Sequence, residues 1–537
     1  MTRHLIKGIL LFISAVMLLD GQVSYQRILN AHSEPGNWLT YSGDYEAHAY
    51  SALDQIDTSN AARLKVAWMY QIGAIGHFET TPLVFDGVMY LTEPPSGVTA
   101  LDLRTGRPIW SYKRSLPKGV IVCCGQVNRG VAVLDDQLFL GTVDAHLVAL
   151  DLRTGRVRWD VEVADYKAAY SITAAPLVVK DKIIVGIAGA EYGIRGFLDA
   201  YDAKTGARSW RFYTVPAPGE PGNETWAGDS WKTGGAPTWV TGAYDPAANL
   251  IYWGTGNPSP DMIGDERNGD NLYSDSVVAL DPDTGKLKWY FQFTPHDTLD
   301  MDANQVPVLV DADFRGRPRK LLLFANRNGF YYILDRLTGE YLLGKQFARQ
   351  NWASGLDEHG RAIWNPAAVP SMEGSLVYPD DDGTANWFSP SLDLKTGLLY
   401  QNVREKGAIQ KRTTKTLKFE SGHLYMGADR LPIPGEEPWG ALRALDWKTG
   451  EMRWEFKVNT PPWCGVLSTA GGLVFSGTME GDFFAVDAVT GKLVWRIQTG
   501  GAIWSNPISY MSEGKQYIVV EAGSALIAFD VDQPAPR

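Results

Sequence analysis

Cysteine is scarce in this chain, with three residues in 537, at positions 123, 124 and 464. No Cys-x-x-Cys-His motif occurs, which excludes covalently attached c-type haem, and with it a fused cytochrome, in this sequence. Basic residues are outnumbered by acidic ones, 50 against 61, so the formal net charge is −11 and the pI is near 5.3. This balance argues against nucleic acid as a partner and suits a weakly basic protein, such as a small redox carrier.

Long apolar runs are absent beyond the N-terminus, so no other transmembrane segment is expected. The chain starts with Arg3, His4 and Lys7, followed by an apolar run at residues 9–19 that only Ser14 interrupts. This pattern predicts an export signal within residues 1–24 and a periplasmic location. An uncleaved N-terminal anchor is the alternative, because no clear small-x-small cleavage site follows.

Two of the three cysteines, Cys123 and Cys124, are adjacent. Neighbouring Cα atoms are ~3.8 Å apart across a trans peptide, below the usual disulfide range of about 4.4–6.8 Å. A bridge between them would remove almost no entropy from the unfolded chain, so it would be a poor staple. The pair is therefore either two buried free thiols or a disulfide with a function, and export to an oxidising compartment is compatible with the second.

One phrase recurs along the chain, Ala-x-Asp-x-x-Thr-Gly-x-x-x-Trp. Complete copies occupy residues 100–110, 149–159, 200–210, 279–289, 444–454 and 485–495. Degenerate copies start at Ile333 and Ser391, and a truncated one starts at Ala528. Most starts lie 41–58 residues apart, a period typical of a propeller blade.

The residue types of the phrase predict its local structure. Asp caps backbone N–H groups of a tight turn, Gly accepts positive φ, and Trp packs between neighbouring units. Short β-rich runs separate the copies. The sequence therefore predicts an all-β fold, an eight-bladed β-propeller with Trp-docking repeats, in one domain at about residues 35–531. Segments 216–230 and 352–382 are expected to form loops on one face.

Between the repeats lie segments that resemble a known family. They are His77-Phe-Glu-Thr-Thr-Pro82, Cys123-Cys-Gly-Gln-Val-Asn-Arg-Gly130, Gly189-Ala-Glu-Tyr-Gly-Ile-Arg-Gly196, Gly254-Thr-Gly-Asn-Pro258, Thr294-Pro-His-Asp297, Asn326-Arg-Asn-Gly329 and Trp463-Cys-Gly465. In these segments, in this order, the chain resembles the quinoprotein alcohol dehydrogenases of the methanol and ethanol dehydrogenase type. The resemblance implies an eight-bladed propeller that holds pyrroloquinoline quinone (PQQ) and a metal ion on its axis.

PQQ is a planar, tricarboxylated quinone, so it needs flat partners and cations. By resemblance, a Cys123–Cys124 disulfide lies against one face of PQQ and Trp239 against the other. Arg129 and Arg327 are the expected cationic partners, since Arg binds carboxylates in a bidentate fashion. The resemblance implies further cofactor contacts at Glu79, Thr173, Gly189, Ala190, Asn386 and Trp463. Taken alone, Trp239 is more often a core residue in a propeller, and Thr173 and Asn386 are usually turn residues in a β-protein.

The metal ligands implied by the resemblance are Glu191, Asn257 and Asp300. Their hard oxygen donors suit calcium-like ions. Asp302, two positions after Asp300, matches family members that use lanthanides, and a trivalent ion gains more from another carboxylate than a divalent one does. We therefore expect a light lanthanide, with calcium as the alternative. If no metal binds, Asn257 would form a plain turn and Glu191 would be a surface charge. Asp302 would then cap a turn or face solvent.

The function implied by the resemblance is oxidation of a primary alcohol to the aldehyde. Asp300 is the expected general base, accepting the alcohol proton while hydride moves to the quinone. Electrons would leave to a separate c-type cytochrome, and a homodimer is compatible with the sequence. A non-catalytic scaffold propeller of the outer-membrane assembly type, and a quinoprotein acting on a sugar or polyol, are the competing hypotheses.

Overall fold

The fold was analysed in a computed structural model that describes residues 22–73, 76–414 and 417–531. Most of the predicted export signal, residues 1–21, lies outside the described residues. Within the described ranges the chain is built mainly from strands, and no helix there is long and apolar enough to cross a membrane. The all-β fold class predicted from the repeat is confirmed.

Eight sheets of four or five strands contain most of the strands in the described chain. They are named A to H here, and in each of them four strands pair with their neighbours in antiparallel order. Sheet A comprises Leu83–Phe85, Val88–Glu93, Gly97–Asp102 and Pro108–Lys113. Sheet B comprises Ala132–Leu134, Gln137–Gly141, His146–Asp151 and Val157–Glu162. Sheet C comprises Leu177–Val179, Lys182–Gly186, Phe197–Asp202 and Arg208–Tyr213. Sheet D comprises Ala243–Asp245, Leu250–Gly254, Ser276–Leu280 and Leu287–Gln292.

The second half of the chain repeats the pattern. Sheet E comprises Val308–Phe314, Arg317–Ala325, Phe330–Asp335 and Tyr341–Gln346. Sheet F comprises Ser391–Asp393, Leu398–Glu405, Trp439–Asp446 and Met452–Val458. Sheet G comprises Leu467–Thr469, Leu473–Gly477, Asp482–Asp487 and Leu493–Gln498, with Tyr50–Ser51 added in parallel at its first strand. Sheet H comprises Ile508–Ser512, Lys515–Ala522 and Ala525–Asp530, and Lys65–Gln71 is its fourth strand.

Short elements decorate these sheets. A five-residue α-helix spans Tyr25–Leu29. Single 3₁₀ turns lie at Ala31–Ser33, Ala61–Arg63, Tyr166–Ala168, Ala190–Tyr192, Asn223–Thr225, Ser230–Thr233 and Pro366–Ala368. One small sheet pairs Ala353–Leu356 with Ala362–Trp364. In a second, Ala408–Arg412 lies between Ser375–Val377 and Ala428–Leu431. Segment 352–382, expected as a loop, therefore contains strands of its own.

The repeated phrase forms the turn between the third and fourth strands of a sheet. At the first copy, the Asp102 carboxylate accepts hydrogen bonds from the Thr105 backbone N–H at 2.9 Å and from its hydroxyl at 2.7 Å. Gly106 takes φ of 66°, in the region that favours glycine. The turn chemistry predicted from Asp and Gly is confirmed.

Tryptophans of the fourth strands reach across to a neighbouring sheet. Their indole N–H groups donate to backbone carbonyls in the pairs Trp110–Leu152, Trp159–Ala203, Trp210–Pro282, Trp289–Arg336, Trp454–Ala488 and Trp495–Leu64, at 2.8–3.2 Å. The turn glycine of the neighbour lies against the same ring, since a Cβ on Gly155 would come within 2.4 Å of Trp110. These contacts tie each of these sheets to the next.

The hydrophobic core lies where neighbouring sheets face one another. Leu83 of sheet A, Phe139 of sheet B and Ile184 of sheet C belong to one buried cluster. Burying a side chain of this size stabilises the fold by about 1.5–3 kcal/mol. The packed interfaces leave the polar loops at one end of each sheet free to build a site.

Candidate active site

The predicted site residues share one position in the fold, although they are far apart in sequence. Each precedes the first strand of a sheet, as Glu79 does in sheet A, or follows the second strand, as Asn257 does in sheet D. Because these two strands are antiparallel, the start of the first and the end of the second lie at the same end of the sheet. The predicted residues therefore lie at the same end of sheets A to G, and their loops meet in one region.

A cavity of about 350 Å³ occupies this region. It is lined by all but one of the predicted residues, namely Glu79, Cys123, Cys124, Arg129, Thr173, Gly189, Glu191, Trp239, Asn257, Asp300, Asp302, Arg327, Asn386 and Trp463. The exception is Ala190, a buried residue of the turn Ala190–Tyr192 that stands beside the lining residues Gly189 and Glu191. The residues that the sequence pattern predicts therefore form much of the wall of one cavity.

Cys123 and Cys124 form a disulfide with Cα atoms 3.8 Å apart. The bridge is exposed to the cavity, and the Cys124 sulfur lies 3.9 Å from the Glu191 carboxylate. Of the two possibilities left by the sequence, the structure therefore selects the disulfide over free thiols. Trp239 lines the same cavity, and its indole N–H donates to Asp302 at 3.1 Å.

Arg129 anchors one corner of the cavity. Its guanidinium pairs with Glu79 at 2.7 Å and donates to the Thr173 hydroxyl at 2.9 Å. The same guanidinium lies 5.0 Å from the Trp239 ring centroid and 4.8 Å from that of Trp387. Ring contacts and a buried ion pair hold this cation in place, while its Nε lacks a hydrogen-bond partner among the described residues.

Arg327 anchors the opposite corner. It pairs directly with Asp302 and lies 3.5 Å from Asp300, and it also donates to the Asp381 backbone carbonyl. Asp302 in turn accepts the Asn257 backbone N–H at 2.8 Å. Asp302 is therefore buried among donors, and the solvent-facing alternative for it is wrong.

Several carboxyl groups in this corner are buried or half-buried without a matching number of cations. Burial raises the pKa of Glu191 to about 7, and the charge of Asp302 adds to the shift. Burial also raises the pKa of Asp300 well above its usual value, although Arg327 opposes the rise. Uncompensated buried carboxylates are costly, so this corner favours binding of a cation.

Other lining residues were not singled out from the sequence. Trp504 stacks on His77 with ring centroids 4.1 Å apart and also faces Trp463 at 5.6 Å. Arg430 lines the cavity and pairs with Asp381. Trp504 and Arg430 stand outside the segments that resemble the family, although Trp504 precedes sheet H just as Trp463 precedes sheet G.

The residues present fit a flat polyanion and a hard metal ion. Glu191, Asn257, Asp300 and Asp302 offer oxygen donors only, the set that calcium and similar ions prefer. Arg129 and Arg327 supply the cations that carboxylates need, and Arg129 keeps one donor unused. The disulfide and Trp239 provide flat or compact walls within the same cavity.

Comparison with known proteins identifies the same family of PQQ-binding proteins. The family model for the PQQ glucose/ethanol/alcohol dehydrogenase beta-propeller domain matches residues 38–346 and 343–518. The chain belongs to the PQQ-dependent quinoprotein alcohol dehydrogenase family. The predicted resemblance is confirmed.

Three relatives illustrate how far the likeness extends. Quinoprotein alcohol dehydrogenase PedH of Pseudomonas putida is 39% identical, over 97% of this chain and 92% of its own length. The lanthanide-dependent methanol dehydrogenase of Methylacidiphilum fumariolicum is 35% identical, over 92% of this chain and 86% of its own. The solved structure of a europium-containing methanol dehydrogenase superposes with a TM-score of 0.89 at 32% identity, over 94% of this quinoprotein and 100% of that chain.

Proposed function

We propose that this quinoprotein is a periplasmic PQQ- and metal-dependent dehydrogenase that oxidises a primary alcohol to the aldehyde. The observation that carries the proposal is one cavity whose wall combines the Cys123–Cys124 disulfide and Trp239 with a set of four oxygen donors. A non-catalytic scaffold has no use for this combination. The relatives named above are alcohol and methanol dehydrogenases, which supports the same reaction class.

Each proposed role follows from the position of the residue. Asp300 stands at the cavity wall and is the base that accepts the proton of the alcohol hydroxyl. Arg327, 3.5 Å from Asp300, keeps a positive charge beside that carboxylate. Arg129 binds a cofactor carboxylate, and Glu79 and Thr173 fix its guanidinium. PQQ, when bound, supplies the two-electron acceptor for the hydride of the carbinol carbon.

The experiment that tests this function is an activity assay. The full-length protein, reconstituted with PQQ and either lanthanum or calcium, is offered a panel of primary alcohols and an artificial electron acceptor. We expect acceptor reduction that depends on alcohol, PQQ and metal together. The family description also covers glucose dehydrogenases, so sugars and polyols belong in the panel. Absence of turnover with every substrate and either metal would reject the enzyme.

We further propose that the resident metal is a light lanthanide, with calcium as the alternative. Asp302 supports this choice because it places a fourth oxygen donor beside Glu191, Asn257 and Asp300, and a trivalent ion gains more from that charge. One relative is named lanthanide-dependent and one solved structure contains europium.

Asp302→Ala tests the metal. The change should reduce lanthanum-dependent turnover at least tenfold more than calcium-dependent turnover, measured with saturating PQQ. Asp311→Ala, which changes an exposed aspartate of the strand Val308–Phe314 that follows Asp302, is the control and should leave both activities unchanged. Equal losses with the two metals would contradict the lanthanide assignment.

The proposed architecture is one domain at residues 35–531, an eight-bladed propeller whose blades are sheets A to H, with Trp docking between blades. Three observations support it. There are eight such sheets in the described ranges, their loops line one cavity, and Lys65–Gln71 pairs with Ala525–Asp530 across nearly the whole sequence. The indole hydrogen bonds between sheets support the docking.

The cellular setting is also a proposal. The basic start and apolar run within residues 1–24 support export. The disulfide that faces the cavity suits an oxidising compartment. A separate c-type cytochrome as electron acceptor is supported by the absence of a Cys-x-x-Cys-His motif and by the net charge of −11. A homodimer is compatible with these features. Reduction of a periplasmic cytochrome by the reconstituted enzyme and alcohol tests the acceptor.

A further inference from the structure

Residues 417–427, called the arm here, cross from the small three-stranded sheet to the wall of the cavity. The arm leads into the last strand of that sheet. On its far side, the Tyr425 backbone N–H donates to the Glu191 carbonyl at 2.7 Å, and the Met426 carbonyl accepts the Met262 backbone N–H at 2.8 Å. Glu191 belongs to a loop of sheet C and Met262 to a loop of sheet D. These two hydrogen bonds fix the arm beside the proposed metal corner.

Successive side chains of the arm have different surroundings. Tyr425 is buried, its hydroxyl donates to Glu266 at 3.1 Å, and its ring lies edge-on to that of Phe419 with centroids 5.7 Å apart. The residues before and after it, Leu424 and Met426, both line the cavity. The packing of Tyr425 therefore anchors the arm and holds two apolar side chains where a molecule in the cavity can touch them.

A second apolar segment lies beside the arm. Val122, the residue before the disulfide, lines the same cavity. Its neighbour Ile121 lies close to the arm, since a Cβ on Gly422 would come 3.6 Å from the Ile121 side chain. Val122, Leu424 and Met426 together are called the apolar lining here. Leu424 is still 60% exposed, so it has surface that a bound molecule can bury.

The apolar lining discriminates between classes of alcohol. Each methylene group that leaves water for an apolar surface stabilises the complex. The additional hydroxyl groups of a sugar or a polyol would lose water there, and the side chains of valine, leucine and methionine offer no strong hydrogen bond in exchange. Methanol has no chain to bury. The apolar lining therefore favours an alcohol that carries an apolar tail.

We propose that Leu424 and Met426 are specificity-determining residues, and that the substrate is a primary alcohol with an alkyl or aryl-alkyl tail of several carbons. The hydroxyl lies at the proposed base Asp300, and the tail runs along the apolar lining. That lining begins beside Glu191, because the backbone of Tyr425 is bonded to this residue. The inference rests on the proposed dehydrogenase function and names its substrate class.

A chain-length series tests the substrate class. The full-length protein is reconstituted with PQQ and with whichever of lanthanum and calcium gives turnover. It is then assayed with the straight-chain alcohols from methanol to 1-hexanol, and with glycerol and glucose. We expect kcat/KM of the wild type to rise about two- to fourfold with each added methylene. Glycerol and glucose should be poorer substrates than 1-hexanol.

Leu424→Asn and Met426→Gln test the two residues, since each replaces an apolar side chain by an amide of similar size. We expect the ratio of kcat/KM for 1-hexanol to that for ethanol to fall about three- to tenfold in each variant. Met426→Leu keeps the apolar surface and should retain the wild-type ratio. Thermal unfolding checks that the variants are folded, and alanine at either position gives the same comparison if an amide variant fails to fold.

Leu431→Asn is the matched control. Leu431 belongs to the strand that follows the arm and is 43% exposed, and among the described residues it is not part of the cavity wall. We expect this variant to keep the wild-type ratio of 1-hexanol to ethanol. A change of the ratio that is confined to the Leu424 and Met426 variants would assign the selectivity to the apolar lining.

The outcomes separate this inference from the proposed function. A wild-type protein that oxidises alcohols with no preference for longer chains, or that prefers glycerol or glucose, would overturn the inference alone. Equal losses with ethanol and 1-hexanol in the Leu424 and Met426 variants would also overturn it, as would the same change of ratio in the Leu431 variant. A wild-type protein without turnover on any of these substrates would overturn the proposed function, and this inference with it.

Discussion

At the scale of single residues, Asp300 combines an unusual backbone with an unusual environment. Its φ is 61°, in the left-handed region that few non-glycine residues adopt. The Asp297 carboxylate holds this turn, since it accepts the backbone N–H groups of Leu299 at 2.8 Å and Met301 at 2.7 Å. Local strain that the surroundings maintain is typical of functional positions, which agrees with a catalytic role for Asp300.

Asp300→Asn keeps the shape of the side chain and removes its basicity. Because general bases typically contribute about 10²–10⁴-fold, we expect kcat to fall by at least about 10²-fold in the alcohol assay. PQQ content, read from quinone absorbance, should stay within a factor of two of wild type. A variant that loses PQQ as completely as activity would show that Asp300 acts in cofactor retention and not as the base.

Glu79 has a pH-dependent effect on stability that follows from its burial. Burial raises its pKa from 4.5 to about 7, and Arg129 opposes the shift. The folded protein therefore holds a proton that the unfolded chain releases between these pH values, so stability falls as pH rises through this window. Between pH 5 and pH 8 the loss is about 2–3 kcal/mol.

Glu79→Gln removes this dependence. Both proteins are measured without metal and PQQ. From pH 5 to pH 8, the free energy of unfolding of the wild type should fall by about 2–3 kcal/mol more than that of the variant. Urea unfolding at several pH values measures it. Parallel pH profiles for the two proteins would contradict the raised pKa.

The residues that the sequence predicted and those it missed differ in their context. Cys123, Asn257 and Asp300 stand within segments whose order matches a family, so they were visible before the fold. Trp504 and Arg430 stand outside these segments, Arg430 in the strand Ala428–Leu431, and only the fold brings them to the cavity.

At the scale of elements, the Asp-x-x-Thr-Gly turn is both the end of one sheet and the contact surface for another. Gly155 has φ of 66°, and a Cβ there would come 2.4 Å from Trp110 of sheet A. Gly87 also has positive φ, at 78°, but a Cβ there would meet nothing within 4 Å. A comparison of the two glycines therefore separates the cost of backbone strain from the cost of steric contact with the ring.

Gly155→Ala should therefore cost more than Gly87→Ala. Both substitutions force an alanine into the left-handed region, which costs about 1–2 kcal/mol. Only the first also displaces the Trp110 ring, and overpacking typically adds about 1–3 kcal/mol. Urea unfolding of the two variants should show the difference, and equal destabilisation would mean that the ring contact contributes nothing.

The order of strands was predictable to the extent that local chemistry dictates it. The repeated phrase predicted turns such as that at Asp102 because the cap and the glycine act within five residues. The strands Ala353–Leu356 and Ala362–Trp364 were not foreseen, since they lie in an insertion without the phrase. Their pairing follows no sequence period.

At the scale of the whole molecule, one sheet joins strands that are far apart in the described sequence. Lys65–Gln71 pairs with Ala525–Asp530, so the sheet that contains the last strands also contains one of the first. Because every sheet supplies loops to the same cavity, the cavity depends on all of them being in place. This explains how residues from 79 to 463 in the sequence build a single site.

The most direct measurement is a crystal structure of the protein loaded with PQQ and lanthanum, with anomalous scattering recorded to locate the metal. We predict one strong anomalous peak bonded by oxygen atoms of Glu191, Asn257, Asp300 and Asp302, with PQQ between the Cys123–Cys124 disulfide and Trp239. A protein that takes up PQQ and lanthanum but shows the metal elsewhere, or the quinone away from the disulfide, would contradict this account of the site.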